Sequence, residues 1–304
     1  MASSVLPRVS VIVAARTAPE TIGQALDSLA AQTRAAEIEV ILADGSDDGC
    51  MAALVTRFPG MIRVALPGGN LPELKGAGIQ RARGSLVAIL DPSDAADTDW
   101  VEAMLAAICE PDICAAGGAV VLSDKGGAGN VAAYLFEYGA FNPPLESGDT
   151  QGDLPGNNVA YRRGLLLETC ADILANVGFY KPLIHERLRA RGGRLVISPA
   201  MRVRHLTHYA FMAFGVRRFH YGRCFGAMRL RAASPALKVL YRAFAPAVPP
   251  LLIARHLARA WSHLPNRRML PDAALALCGV CAFWGVGEWL GYWFGDGRSC
   301  RELY

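Results

Sequence analysis

The sequence predicts an α/β fold with a mostly parallel sheet, followed by a C-terminal helical region that is apolar and basic. Three observations carry this. Short apolar runs alternate with segments of helical period through the first two hundred residues. Two of those runs end abruptly in carboxylates: Val40-Ile41-Leu42-Ala43 leads into Asp44-Gly45-Ser46-Asp47-Asp48, and Leu86-Val87-Ala88-Ile89-Leu90 leads into Asp91-Pro92-Ser93-Asp94. After His205 the chain becomes aromatic, basic and apolar together.

The elements follow in order. Val9 to Ala14 is a Val/Ile run and reads as a buried strand. Pro19 to Gln32 reads as a helix, with Ile22, Ala25, Leu26 and Leu29 on one face and Thr17 as a candidate cap. Glu39 to Ala43 is a strand, Gly49 to Arg57 a helix, and Ile62 to Leu66 a strand. Glu73 to Arg83 is a helix closed by Gly84. Leu86 to Leu90 is a strand, Trp100 to Cys109 a helix, and Asp112 to Leu122 a strand with a bulge expected at Gly117-Gly118. Residues 123–156 are rich in Gly and Pro and read as loop. A helix is expected from Leu165 and a further strand over Arg194 to Ser198. This divides the chain into an α/β domain, 1–205, and an appended region, 206–304.

In open α/β sheets, ligands bind beyond the carboxyl ends of the strands. Two acidic clusters at two strand ends therefore predict one polar site. Carboxylates there suit ribose and base hydroxyls, or a divalent metal carrying a diphosphate. No Gly-x-Gly-x-x-Gly follows the first strand; Ala14-Ala15-Arg16-Thr17 stands there, which argues against dinucleotide-dependent oxidoreduction.

The net charge of +4 hides a strong division. Residues 1–186 hold 12 Lys+Arg against 23 Asp+Glu, whereas residues 187–271 hold 17 Lys+Arg and no carboxylate. Such a block needs anionic company, and its long apolar stretches suit lipid better than nucleic acid. Arg217, Arg218, Arg223, Arg229 and Arg231 interleave with Phe211, Phe214, Phe219, Tyr221 and Phe225. That stretch reads either as a helix at a membrane interface or as a basic face packed on the domain. Ala273 to Phe294 carries one charge, Glu288, and has the length of a membrane span, a buried helix or a re-entrant hairpin. Glu288 would need a partner in lipid, for which Arg255 and Arg259 are candidates. Arg267 and Arg268 would lie on the outer side of a two-span hairpin, which favours an interfacial or re-entrant arrangement. The 8 cysteines show no repeated metal-ligand spacing and read as free thiols in a reducing cytoplasm. Val5-Leu6-Pro7-Arg8 leads straight into the first strand, without the pattern of a signal peptide.

Four blocks in order resemble the family-2 glycosyltransferases of GT-A fold. They are Val9-Ser10-Val11-Ile12-Val13-Ala14-Ala15-Arg16, the Asp44-Gly45-Ser46-Asp47-Asp48 turn, Ala82 to Asp94 followed by Trp100, and Gly156-Asn157-Asn158-Val159-Ala160-Tyr161-Arg162-Arg163. The resemblance spans roughly residues 8–205. It implies a nucleotide-sugar donor, with Ala15, Arg16, Asp44 and Ser46 around the base and its ribose. Asp91 would meet the ribose or sugar. Lys75, Ser93, Asn157 and Asn158 complete the implied donor and acceptor positions. For Asp44, an Asx-type turn holding Gly45 and Ser46 is the alternative. Tyr221-Gly222-Arg223 resembles the region after the catalytic domain in membrane-associated members acting on lipid-linked or polysaccharide acceptors, such as those of the cell envelope. The implied enzyme is an inverting transferase at the cytoplasmic membrane face.

The sequence departs from the family at two places. Ser93 stands where the family has the second Asp of Asp-x-Asp, which binds Mg²⁺ or Mn²⁺. Asp94, with Asp91 and His205, is then the candidate metal set; otherwise cations such as Lys75, Arg202, Arg204 or His205 neutralise the diphosphate. The family's base carboxylate precedes an Arg-Leu-Arg run, here Arg187-Leu188-Arg189, and its position falls on Tyr180-Lys181. Glu186, His185 and Asp172 are the candidate bases. Glu186 also reads as a surface residue paired with Arg187 or Arg189. These departures keep a second reading open: a weak or inactive relative that binds nucleotide-sugar or lipid without transfer.

Overall fold

The computed structural model describes residues 6–17, 20–48, 50–300 and 302. The elements begin β1 (Val9–Ala15), α1 (Ile22–Ala30), β2 (Ile38–Asp44), α2 (Ala52–Arg57), β3 (Ile62–Ala65), α3 (Leu71–Arg81), β4 (Leu86–Leu90) and β5 (Asp94–Ala96). They continue with α4 (Trp100–Ala107), β6 (Ile113–Leu122), α5 (Ala128–Tyr138), β7 (Gly148–Asp149), β8 (Asn158–Arg162), α6 (Arg163–Asn176), α7 (Lys181–Ala190) and β9 (Arg194–His205). The C-terminal part is helical: α8 (Phe211–Ala232), α9 (Pro235–Phe244), α10 (Val248–Ser262) and α11 (Leu264–Phe294). The expected helix starts at Pro19 and Gly49 lie outside the described residues.

The chain forms two compact units, Met1–Ser123 with Pro143–Thr207, and Asp124–Asn142 with His208–Tyr304. The division expected at residue 205 therefore takes a different course: a segment read as loop contains α5 and joins the C-terminal helices. Val131, Ala132, Tyr134 and Leu135 are buried along α5. The flanking Gly and Pro masked its helical period.

In the first unit the described strands form one sheet, ordered β3-β2-β1-β4-β8-β6-β9-β5, with β7 paired to β9. The sheet is mixed rather than mostly parallel. β1, β2, β3 and β4 are parallel neighbours, while β8 runs antiparallel between β4 and β6. β8 is not apparent as a strand in the sequence because it opens on Asn158 directly after Gly156-Asn157, which read as a turn. β9 extends to His205, with a register shift between Gly118 and Ala119 in which the extra residues lie on β9 and not at the Gly117-Gly118 pair where a bulge was expected.

Every residue of β1 is buried. Ile12, Ile41, Val87 and Ile89 belong to its core, and each such side chain contributes about 1.5–3 kcal/mol on burial. Ser10 is the polar exception, and its hydroxyl donates to Glu39 at 2.6 Å and accepts from Gly84 N at 2.8 Å. α3 opens on a capping box: Asn70 Oδ1 accepts from Glu73 N at 2.9 Å, and Glu73 Oε2 accepts from Asn70 N at 3.0 Å. This cap fixes where Lys75, two residues on, emerges.

In the second unit α8 and α11 lie side by side in the same direction. Glycines make the contact. A Cβ added at Gly222 would sit 2.1 Å from the Trp284 carbonyl oxygen, one at Gly226 2.5 Å from that of Glu288, and one at Gly291 2.3 Å from that of Arg223. Glu288 is buried and accepts from Tyr292 Oη at 2.5 Å and Trp284 Nε1 at 3.0 Å, with Arg229 at 3.7 Å. Its partners are thus not the expected Arg255 or Arg259; packing of α11 on α8 brings Arg229 instead. Cys224 and Cys300 form a disulfide, which corrects the expectation of free thiols for these two. The chain returns along α11 and carries its tail back to α8, and no sequence spacing foretells that. Pro235–Ser262 and Leu264–Phe294 are long and apolar enough to cross a membrane, by length and composition.

Candidate functional site

The strand order places two acidic turns on either side of one strand. β1 lies between β2 and β4, Ala15 is registered with Asp44, and Asp91 follows the last residue of β4. Asp44, Ala15, Arg16 and Asp91 therefore stand at one edge of the sheet, at the carboxyl ends of parallel strands. Thr21 Oγ1 donates to Pro92 O at 2.7 Å, tying the segment after β1 to the Asp91 turn.

Asp44 is buried, and its carboxylate is fully engaged. Oδ1 accepts from Ser46 N at 2.8 Å and Ser46 Oγ at 2.6 Å. Oδ2 accepts from Arg63 Nε at 2.7 Å and Nη2 at 2.5 Å. Burial pushes this carboxyl up, but the bonds from Ser46 and Arg63 outweigh it and hold it below its ordinary value. The Asx-type turn is thus present, whatever further contacts Asp44 makes. Arg63 escaped the sequence reading. It sits opposite Leu42 on β3, so it reaches Asp44 diagonally across a parallel pair, which only the strand order reveals. Arg16 packs over Gly45, and its Nε is buried without a hydrogen-bond partner among the described residues.

On the other side of β1, Lys75 Nζ donates to Asp91 Oδ1 at 2.7 Å; the two side chains are 13% and 27% exposed. Asp94 lies deeper. It is fully buried, and His205 Nδ1 approaches Oδ1 at 2.8 Å while Asn157 Nδ2 donates to Oδ2 at 3.0 Å. Register explains this, since Asp94 on β5 pairs with His205 on β9. Burial raises the Asp94 carboxyl, and the bonds from His205 and Asn157 offset that in part. Ser93 is half-buried, and its carbonyl accepts from Leu206 N at 2.8 Å. Arg202 and Arg204 lie beside Asp97 at 3.9 and 3.5 Å, about half exposed.

Asn158 does not face the strand ends. It is fully buried, accepts from Trp100 Nε1 at 2.8 Å, and donates to the carbonyls of Ala119 and Met201 at 2.9 and 2.8 Å. Its amide ties α4, β6 and β9 together. Asn157 next to it does reach the acidic turn.

The three candidate bases are not brought to these carboxylates. His185 is 1% exposed; Nδ1 lies 2.6 Å from Asp153 Oδ1 and Nε2 2.7 Å from Tyr161 Oη. Burial lowers its pKa more than Asp153 raises it, so the imidazole is neutral. The buried Tyr161 phenol is held well above its ordinary value, so it is the donor to Nε2 and Nδ1 is the protonated nitrogen. Both nitrogens being bonded within the protein, His185 has none to offer an acceptor. Asp172 faces solvent, 61% exposed, in an ion pair with Arg187 at 2.9 Å. Glu186 is exposed on α7 next to Arg187, whose guanidinium turns to Asp172. The residue missed by the sequence reading is Asp153. It is 44% exposed and pairs with Lys181, at the position where the base was sought, at 3.2 Å. Bonds from His185 and Lys181 outweigh its burial and hold its pKa at about 2. Its place in a segment read as loop gave no signal.

The metal set expected from Asp91, Asp94 and His205 does not form. Among the described residues no group of three His, Cys, Asp or Glu side chains is placed to hold an ion. A hard dication that carries a diphosphate needs one or two free carboxylates from the protein, with water and phosphate oxygens completing its shell. Asp94 has both oxygens bonded inside the fold, Asp91 already bridges to an ammonium, and Ser93 offers a neutral hydroxyl.

The family model described as glycosyl transferase family 2 matches residues 10–169. Among solved structures, the mannosyltransferase PcManGT from Pyrobaculum calidifontis, in complex with GDP-Man and Mn²⁺, superposes with a TM-score of 0.54 at 19% identity, over 99% of this chain and 84% of that one. GalNAc-T7, with UDP, GalNAc and Mn²⁺, gives 0.53 at 16% identity, over 67% of this chain and 45% of that one. At these identities the likeness is one of fold. No curated protein matches the sequence.

Proposed function

The chain belongs to glycosyl transferase family 2, a glycosyltransferase of GT-A fold, and from that premise we propose the reaction and its setting. It transfers a sugar from a nucleotide-sugar donor, with inversion, to a lipid-linked or glycan acceptor at the cytoplasmic face of a membrane. The observation that carries the donor reading is the pair of acidic turns flanking the end of β1. In this reading Ala15, Arg16 and Asp44 with Ser46 bracket the base and ribose, and Asp91 with Lys75 meets the sugar and diphosphate. In this reading the first unit performs the chemistry, and the second holds the acceptor and the membrane.

The acceptor hydroxyl attacks the anomeric carbon, its proton passes to a carboxylate, and the bond to the diphosphate breaks. Asp153 is the candidate for that carboxylate. It is partly exposed and stands beside Lys181, whose cation replaces the carboxylate expected there; both its oxygens are paired, with His185 and Lys181, and it takes the proton only as one of those bonds opens. A second reading, donor binding without transfer, is supported by the same Lys181. Nucleoside diphosphate release from a panel of UDP- and GDP-sugars separates them. Turnover with one donor, lost in Asp153→Asn with donor affinity kept, supports transfer; binding without turnover from any donor in membranes supports the second reading.

The membrane reading rests on exposed apolar side chains among basic ones. Val239, Phe244, Leu251, Trp261, Leu275 and Phe294 are each more than 60% exposed in the second unit. Pelleting with anionic but not zwitterionic vesicles, weakened by salt, is the expected outcome. Failure to pellet with either removes the membrane setting and leaves the donor reading intact.

A further inference from the structure

We infer that this protein holds the diphosphate of its donor with its own cations, Lys75 and Arg16, and not through a bound divalent metal. The inference rests on the nucleotide-sugar reading above and concerns the same site.

The argument starts from the ligands a metal would need. A dication bridging a diphosphate to a protein draws on carboxylate oxygens that face the ligand. Asp94 cannot face it as the fold stands. Its side chain is fully buried, and turning it out would break the bonds to His205 and Asn157 and leave buried polar atoms unmatched. Ser93 replaces a charge by a hydroxyl. Asp91 is left, and Lys75 Nζ already sits 2.7 Å from its Oδ1. A dication on that carboxylate would lie against the ammonium and be repelled by it.

The same geometry supplies the positive charge by other means. Lys75 has three N–H donors, and its pairing with Asp91 accounts for one, so the ammonium still has donors for a phosphate oxygen. Arg16 follows β1 directly, and its side chain lies over Gly45 in the first acidic turn. Its guanidinium carries a buried Nε with no partner among the described residues. A planar guanidinium suits two phosphate oxygens, and an ammonium suits one as a point charge. One cation thus stands at each acidic turn, Arg16 beside Gly45 and Lys75 on Asp91, where the diphosphate is proposed to lie.

Calorimetric titration of the full, detergent-solubilised chain with UDP and with GDP tests this, once in EDTA and once in excess MnCl₂. One nucleoside diphosphate is expected to bind in EDTA, with an affinity within about threefold of that in Mn²⁺. Lys75→Met is expected to weaken binding by roughly tenfold or more, with Lys75→Arg retaining most of it. Binding that appears only with Mn²⁺ overturns the inference and leaves the donor reading standing. Absence of binding in both buffers overturns both. Unchanged affinity in a folded Lys75→Met protein also overturns it. The comparison of buffers uses the unaltered chain and stands even if the variant fails to fold.

Discussion

A carboxylate such as Asp44 serves the fold before it serves a ligand. It accepts four hydrogen bonds, from Ser46 and Arg63, and its removal leaves those donors without their acceptor. Asp44→Ala should lower unfolding stability by about 2 kcal/mol, since Arg63 is partly solvated and recovers some water contact. Thermal unfolding checks this, and nucleotide titration of the folded variant shows whether binding falls with it. His185 gives a pH test. Its folded pKa lies below its ordinary 6.5, so the neutral form is favoured by folding. That contribution is present above 6.5 and is lost as pH falls through the depressed folded value. Asp153 acts in the same direction at lower pH, its contribution fading as pH falls from about 4 toward its folded value of about 2. The melting temperature should therefore drop on acidification from neutrality, and His185→Gln should flatten the first part of that fall. A variant whose curve parallels the parent's would remove His185 as its source.

At the scale of elements, close packing of α8 on α11 depends on missing side chains. A Cβ at Gly222 would overlap the Trp284 carbonyl, which is backbone and cannot turn aside. Gly222→Leu should cost at least about 3 kcal/mol, read as a fall in melting temperature. Gly164, in the first turn of α6, has nothing within 4 Å of an added Cβ. Gly164→Ala should stabilise by about 0.5 kcal/mol through the unfolded chain. The elements were legible to different degrees. β1, β2 and β4 announced themselves because continuous Val/Ile runs bury on both faces. α5 did not, because Gly126-Gly127 before it and Pro143-Pro144 after it carry the signal of a loop. β8 did not, because a five-residue antiparallel strand flanked by Asn and Arg has no periodicity of its own.

For the whole molecule, the sharp charge division along the chain coincides only in part with its two units. The acidic part supplies every described strand but β9, and the basic block begins on α7 and includes β9, inside the first unit. The Cys224–Cys300 pair closes 76 residues of the second unit, and the other six cysteines are free. Thiol titration of the denatured, unreduced protein should therefore count six reactive thiols; eight would remove the disulfide. The sequence by itself determined the family, the parallel strands and the placing of Asp44 and Asp91 at strand ends, because those rest on local apolar runs and turns. Only the tertiary structure decided what the side chains there meet. Arg63 on Asp44, Lys75 on Asp91, His205 on Asp94 and Lys181 on Asp153 are partners 16 to 111 residues apart. The first and third follow from strand order and register and the other two from where α3 and α7 pack, and all are fixed by the burial of the whole unit rather than by any one segment of it.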